Sequence, residues 1–199
     1  MKKKCKKISM GVLILLACIL GFSVSVYAKD TVAKVTSKRY SNSKTQYSVI
    51  SGKTQAGKTV WKYTTSKFTA TELDSASYKV RGSYVYLIDH TANNMLYIKL
   101  NKQTGKVVCR KKFSSSYNMG GAAMYVDSSG NLYSMGYYND WIAKFSSKGK
   151  LLWKKKINSK YYWPSKMTAS NNKLTVYFDG YYNGRVILNM KTGKILSYK

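Results

Sequence analysis

Acidic side chains are scarce in this sequence. Among 199 residues there are seven carboxylates: Asp30, Glu72, Asp74, Asp89, Asp127, Asp140 and Asp179. They form no obvious pair for general acid–base hydrolysis. Histidine occurs once, as His90 in LIDHT. Its neighbour Asp89 is a poor catalytic companion, because successive residues of a strand point to opposite faces. Asp127 and Asp140, separated in sequence and surrounded by lysines, make a poor calcium cage. No metal or other cofactor is therefore expected. Proline also occurs once, at Pro164, and after residue 28 no segment sustains helical spacing of apolar residues. Of the three cysteines, Cys5 and Cys18 lie near the N-terminus, which leaves Cys109 alone, without an intramolecular disulfide partner or a cysteine-based metal site.

The N-terminus has the three parts of an export signal. Lys2, Lys3, Lys4, Lys6 and Lys7 precede the apolar stretch ISMGVLILLACILGFSVSV, and Val26-Tyr27-Ala28 places small residues at the −3 and −1 positions. This predicts a signal peptide over residues 1–28 with cleavage between Ala28 and Lys29. Retention as a membrane anchor is the second reading, since the apolar run is close to spanning length. Lipidation at Cys18, after Leu15-Leu16-Ala17, ranks lower because the apolar run continues beyond it. Cleavage leaves 171 residues, enough for one domain with a core. The formal charge of +28 drops to +23 with the five signal lysines gone. Such a field concentrates polyanions at the surface. For an exported protein, lysine-rich and nearly free of cysteine, a Gram-positive surface or medium is suggested. The polyanions there are teichoic acids, anionic glycans, lipid headgroups and extracellular DNA, nucleic acid fitting only non-specifically. Lysines on strand edges also suppress sheet-to-sheet pairing, with no ligand involved.

A repeat organises the rest. Gly-Lys pairs followed by apolar residues begin at Gly57, Gly105, Gly149 and Gly193, spaced by 48, 44 and 44 residues. GYYND at Gly136 and GYYNG at Gly180 are again 44 apart. Each unit reads as short segments rich in Val, Ile, Tyr, Trp and Leu, separated by Gly, Asn, Asp and Ser. In the third unit these are GGAAMYV, LYSMGYY, WIAKF and LLWKKKI. Four strands at this period predict an all-β, propeller-like fold of about four blades, each of four antiparallel strands. The units fall at about 45–66, 67–114, 115–158 and 159–199, preceded by a polar segment, 29–44. The first unit shows clear candidates for its last two strands, with DTVAKV and KRYS as weak partners. Three arrangements follow: a compact four-bladed ring using residues 30–42, an open arc, or two chains closing a larger ring as a homodimer.

The repeat also disposes of a false motif. SGKTQAGKT, residues 51–59, satisfies the G-x-x-x-x-G-K-[ST] pattern through Gly52, Gly57, Lys58 and Thr59. A phosphate cradle needs a helix after its glycines. Here TVWKYTT follows, a β-branched and aromatic run. A turn glycine with positive φ accounts for all four Gly-Lys copies, so ATP is not an expected partner.

The units resemble the repeat of quinoprotein-like (PQQ-type) β-propellers, apolar-x-x-x-T-G-x-x-x-W. Thr104-Gly105 and Thr192-Gly193 match the turn, and Trp61 and Trp153 match the tryptophan. Cys109 and Ser197 replace that tryptophan in units two and four, while Ala56 and Lys148 replace the turn threonine. DSSGNLY also resembles a turn of NHL-type repeats. The resemblance implies inter-blade packing for Trp61, Trp153 and, by position, Cys109. It carries no enzyme with it, since the family's dehydrogenases use calcium and a catalytic carboxylate for which no acidic cluster is evident. Binding remains. Tyr137-Tyr138, Tyr181-Tyr182 and Tyr161-Tyr162-Trp163, with Arg185, are expected at one end of the blades, where aromatic faces and a guanidinium suit glycan rings or polyanion backbones. The first expectation is a non-catalytic module for an anionic envelope polymer or a partner protein. An oxidoreductase or lyase on the same scaffold is the alternative, and a purely structural scaffold the third.

Overall fold

The computed structural model describes residues 30–42, 45–69, 77–91, 94–114, 122–136, 140–158, 163–179 and 183–199. The regular elements among them are all strands. The first sheet places β1 (Lys34–Ser41), β2 (Thr45–Lys53) and β3 (Thr59–Thr64) side by side, with the short β4 (Phe68–Thr69) also pairing with β2. The second contains β5 (Ser77–Arg81), β6 (Tyr84–Thr91), β7 (Asn94–Asn101) and β8 (Val107–Ser114). The third contains β9 (Ala123–Val126), β10 (Leu132–Met135), β11 (Trp141–Phe145) and β12 (Leu151–Lys156). The fourth contains β13 (Pro164–Ser170), β14 (Lys173–Phe178), β15 (Gly184–Asn189) and β16 (Ile195–Tyr198). Every sheet is antiparallel and each of the last three follows chain order.

Alternation drives the packing. In β14, KLTVYF, the side chains of Leu174, Val176 and Phe178 are buried while Lys173, Thr175 and Tyr177 take the other face. Strand β7 departs from this pattern: Met95 through Leu100 are all buried, because its sheet is covered on both sides. Leu96, Ile98 and Leu100 join Ile50, Trp61, Val85 and Leu87 in a core between sheets one and two. Met95 and Tyr97 join Ile88, Leu132 and Phe145 between sheets two and three. Tyr133, Met135 and Ile142 meet Leu174, Val176, Phe178, Val186 and Leu188 between sheets three and four. Among the described residues no comparable core joins sheet four to sheet one.

Matching the turns shows what the first sheet lacks. The backbone bonds Thr54 N to Lys58 O, Asn101 N to Lys106 O, Ser146 N to Lys150 O and Asn189 N to Lys194 O close equivalent turns. Strands β2, β7, β11 and β15 therefore correspond, and so do β1, β6, β10 and β14. The inner strands β5, β9 and β13, of which β9 contacts both others, have no described counterpart in the first sheet. SGKTQAGKT is the end of β2, the turn and the start of β3. Strand follows Thr59, where a phosphate cradle requires a helix.

Candidate functional site

The recurring fourth-strand position works between sheets. Trp61 Nε1 donates to Lys102 O at 2.8 Å, Cys109 Sγ lies 3.3 Å from Lys148 O, and Trp153 Nε1 donates to Met190 O at 3.2 Å. Each partner carbonyl lies in the turn before the last strand of the following sheet. Gly57, Gly105, Gly149 and Gly193 all have φ between +67° and +86°. At Gly105 the indole of Trp61 also lies so near that a Cβ would sit 2.6 Å from it.

Two lysines that sequence reasoning missed reinforce these contacts. Lys99 Nζ lies 3.8 Å from the Tyr84 ring centroid and 3.4 Å from Ser147 O. Lys144 Nζ donates to Met190 O at 3.1 Å and lies 5.1 Å from the Tyr133 ring centroid. Burial lowers the pKa of both ammonium groups, with Cys109 opposing the shift at Lys99 and Asp127 opposing it at Lys144. Their equivalent places in the repeat were the available signal.

The acidic residues take local roles. Asp89 is fully buried and its Oδ2 accepts from Ser66 N and Ser66 Oγ, both at 3.0 Å, tying sheet two to sheet one. Asp127 closes the DSSGN turn by accepting from Asn131 N and Asn131 Nδ2, each at 2.9 Å. Asp140 pairs with Lys156 at 3.2 Å. His90 lies in β6 opposite Met95. Among the described residues no group of three or more His, Cys, Asp or Glu side chains is placed to hold a metal.

Of the expected recognition residues, Tyr137, Tyr138, Tyr161, Tyr162, Tyr181 and Tyr182 lie outside the described residues, as do Ala28, Lys29 and Cys18. Trp163 and Arg185 are described. Trp163 is half exposed and precedes Pro164, which pairs with Phe178, itself paired with Gly184. Arg185 is exposed and exchanges backbone hydrogen bonds with Lys199 at 2.7 and 2.9 Å. Both residues thus sit at one end of sheet four, with β14 between them.

Among the described residues three surfaces gather cations. The outer strands β8 and β12 expose Arg110, Lys111 and Lys112 and, at equivalent places, Lys154, Lys155 and Lys156. A cavity of about 300 Å³ is lined by Ser37, Tyr78, Ala123 and Met124, with Lys79 and Lys166 as its charged groups. The open face of the first sheet borders a groove of about 600 Å³ holding Lys38, Lys53, Lys62 and Lys67, with no carboxylate among the described lining residues. There Tyr40 and Tyr47 stack at 5.1 Å and 11°, Lys38 lies over one ring and Lys67 over the other.

No family model matches the chain, and no curated protein matches it at a significant level. Solved structures do. A protein of unknown function from Bacteroides caccae superposes with a TM-score of 0.53 at 15% identity, over 78% of this chain and 57% of that one. Streptogramin B lyase superposes with a TM-score of 0.51 at 18% identity, over 87% of this chain and 56% of that one. The fold is β-propeller-like. The propeller chain spans little more than half the length of these two proteins, and the likeness is one of fold. BamB from Moraxella catarrhalis is also similar, with a TM-score of 0.40 at 11% identity, over 84% of this chain and 63% of that one.

Proposed function

We propose that this protein is an exported, non-catalytic β-propeller module that binds an anionic polymer of the cell envelope. The observation that carries the reading is the repeated basic triplet, Arg110-Lys111-Lys112 and Lys154-Lys155-Lys156, exposed on the outermost strands of adjacent sheets. Among the described residues Lys156 meets Asp140, Arg110 meets the hydroxyl of Tyr63, and Lys154 rests over Trp141. A row of exposed cations raises the local concentration of polyanions and speeds encounter with them. It also keeps the outer edges from pairing with other sheets, so one set of residues serves solubility and attraction. The quinoprotein-like repeat fits a scaffold role in this reading, its tryptophans joining blades while the surface recognises the ligand.

The test is retention on isolated Gram-positive cell walls as salt is raised. Retention at low ionic strength and release as the Debye length shrinks to about 3 Å in molar salt is the expected result. Retention unchanged in molar salt, or no retention at any salt, overturns the reading.

A further inference from the structure

Resting on the polymer-binding reading, we infer that the open face of the first sheet is a binding site for an extended phosphodiester chain, recognised through its phosphates and without base stacking. Three observations carry this. First, the face is not built to receive another sheet. Where sheets two, three and four present Ile98 and Leu100, Ala143 and Phe145, and Val186 and Leu188 to the preceding sheet, the first presents Ser51 and Lys53.

Second, the charge of its described lining residues is of one sign. Solvation alone is served by mixed charges, yet Lys38, Lys53, Lys62 and Lys67 share the groove with hydroxyls from Thr36, Ser51, Thr59 and Thr64. Like charges on one face repel until an anion intervenes. From Lys53 to Tyr47 along β2 is roughly 20 Å at ~3.3 Å per residue, too far for one phosphate to meet every lysine. An extended chain can follow the face, with hydroxyls and ammonium groups as donors to phosphate oxygens.

Third, the aromatic surface is already engaged. Tyr40 and Tyr47 stack on each other, with Lys38 Nζ 5.1 Å from one ring centroid and Lys67 Nζ 5.7 Å from the other. The pair holds ammonium groups in place, and each ring already has a stacking partner and a cation.

The experiment compares two charge-matched variants of the full chain, both checked for native circular dichroism. One carries Lys38→Gln, Lys53→Gln, Lys62→Gln and Lys67→Gln; the other carries Lys106→Gln, Lys150→Gln, Lys173→Gln and Lys191→Gln, four exposed lysines outside both the groove and the basic triplets. The probe is an abasic phosphodiester oligomer, with inorganic phosphate and an oligothymidylate of equal length alongside. With about 0.7 of the salt slope lost per phosphate contact on a single strand, the first variant loses about 3 from the slope of log K against log salt. The second loses distinctly less. In the wild type, acetylation of Lys38, Lys53, Lys62 and Lys67 slows when the oligomer is present and not when inorganic phosphate is. Equal weakening in both variants overturns the inference, because only net charge then matters; the polymer-binding reading survives that outcome. Much tighter binding of oligothymidylate than of the abasic chain overturns it in favour of base stacking. Failure of the oligomer to bind while cell-wall retention persists overturns the ligand class alone.

Discussion

Glycine at a turn serves two separable purposes in this chain, and neighbouring repeats keep them apart. Gly57 and Gly105 occupy equivalent turns with φ of +86° and +67°. At Gly57 a Cβ would find nothing within 4 Å, whereas at Gly105 it would stand 2.6 Å from the indole of Trp61. Gly57→Ala should therefore cost about 1–2 kcal/mol, the backbone penalty of a left-handed residue. Gly105→Ala adds displacement of a ring that is 8% exposed and hydrogen-bonded to Lys102 O. An additional cost of about 1–3 kcal/mol is expected from overpacking. Urea unfolding of the two variants measures the difference, and equal midpoints would remove the packing role assigned to this turn.

At the scale of elements, the sheets are held by buried polar side chains as well as apolar cores. Tyr97 and Tyr133 are fully buried, and burial raises both hydroxyls well above the ordinary tyrosine pKa of 10.0, with the carboxylate of Asp127 adding to the shift at Tyr133. An unfolded chain releases those protons near pH 10 while the folded one retains them. Stability from these groups is thus fully present below pH 10 and falls as pH rises beyond it, by about 1.4 kcal/mol per pH unit for each tyrosine. Lys99 and Lys144 act with the opposite sign. Their lowered pKa values make stability rise with pH up to the ordinary lysine value of 10.5. Tyr97→Phe should flatten the alkaline arm of the urea midpoint against pH, at a cost near neutrality of about 1 kcal/mol for the lost bond to Ser147 O. An alkaline arm as steep as the wild type's would contradict this account.

On the scale of the whole molecule, the outer faces of sheets one and four differ in chemistry from the faces that meet between sheets. Sheet four presents Thr175, Tyr177, Arg185, Ile187 and Ser197 where sheet three presents Tyr133, Met135, Ile142, Lys144 and Trp153 to its neighbour. Sheet one presents Ser51 and Lys53 at its own outer face. Polar residues on such outer faces favour solubility. Closing a larger ring with a second copy would set Arg185 on one end face against Lys38, Lys53 and Lys62 on the other, an approach of like charges. The expected solution species at low salt is a monomer, measured by light scattering. A stable dimer would show that these end faces mate despite their charge.

Much of the architecture is legible in the sequence. The 44-residue step, the turn glycines and the alternation in segments such as KLTVYF are local properties. Backbone sterics and the two-residue period of a strand act on neighbours in the chain, so they determine a repeated antiparallel sheet without reference to distant residues. The same local reading separated SGKTQAGKT from a phosphate cradle. The polar partners of Trp61, Lys99 and Asp89 were not readable, because they lie 41, 48 and 23 residues away and depend on how one sheet seats against the next. The candidate groove was also hidden. Lys38, Lys53, Lys62 and Lys67 come from β1, β2, β3 and the segment after β3, and in sequence they are ordinary lysines among many. Only antiparallel registry places them on one face, and only the absence of a covering sheet among the described residues leaves that face open to a ligand.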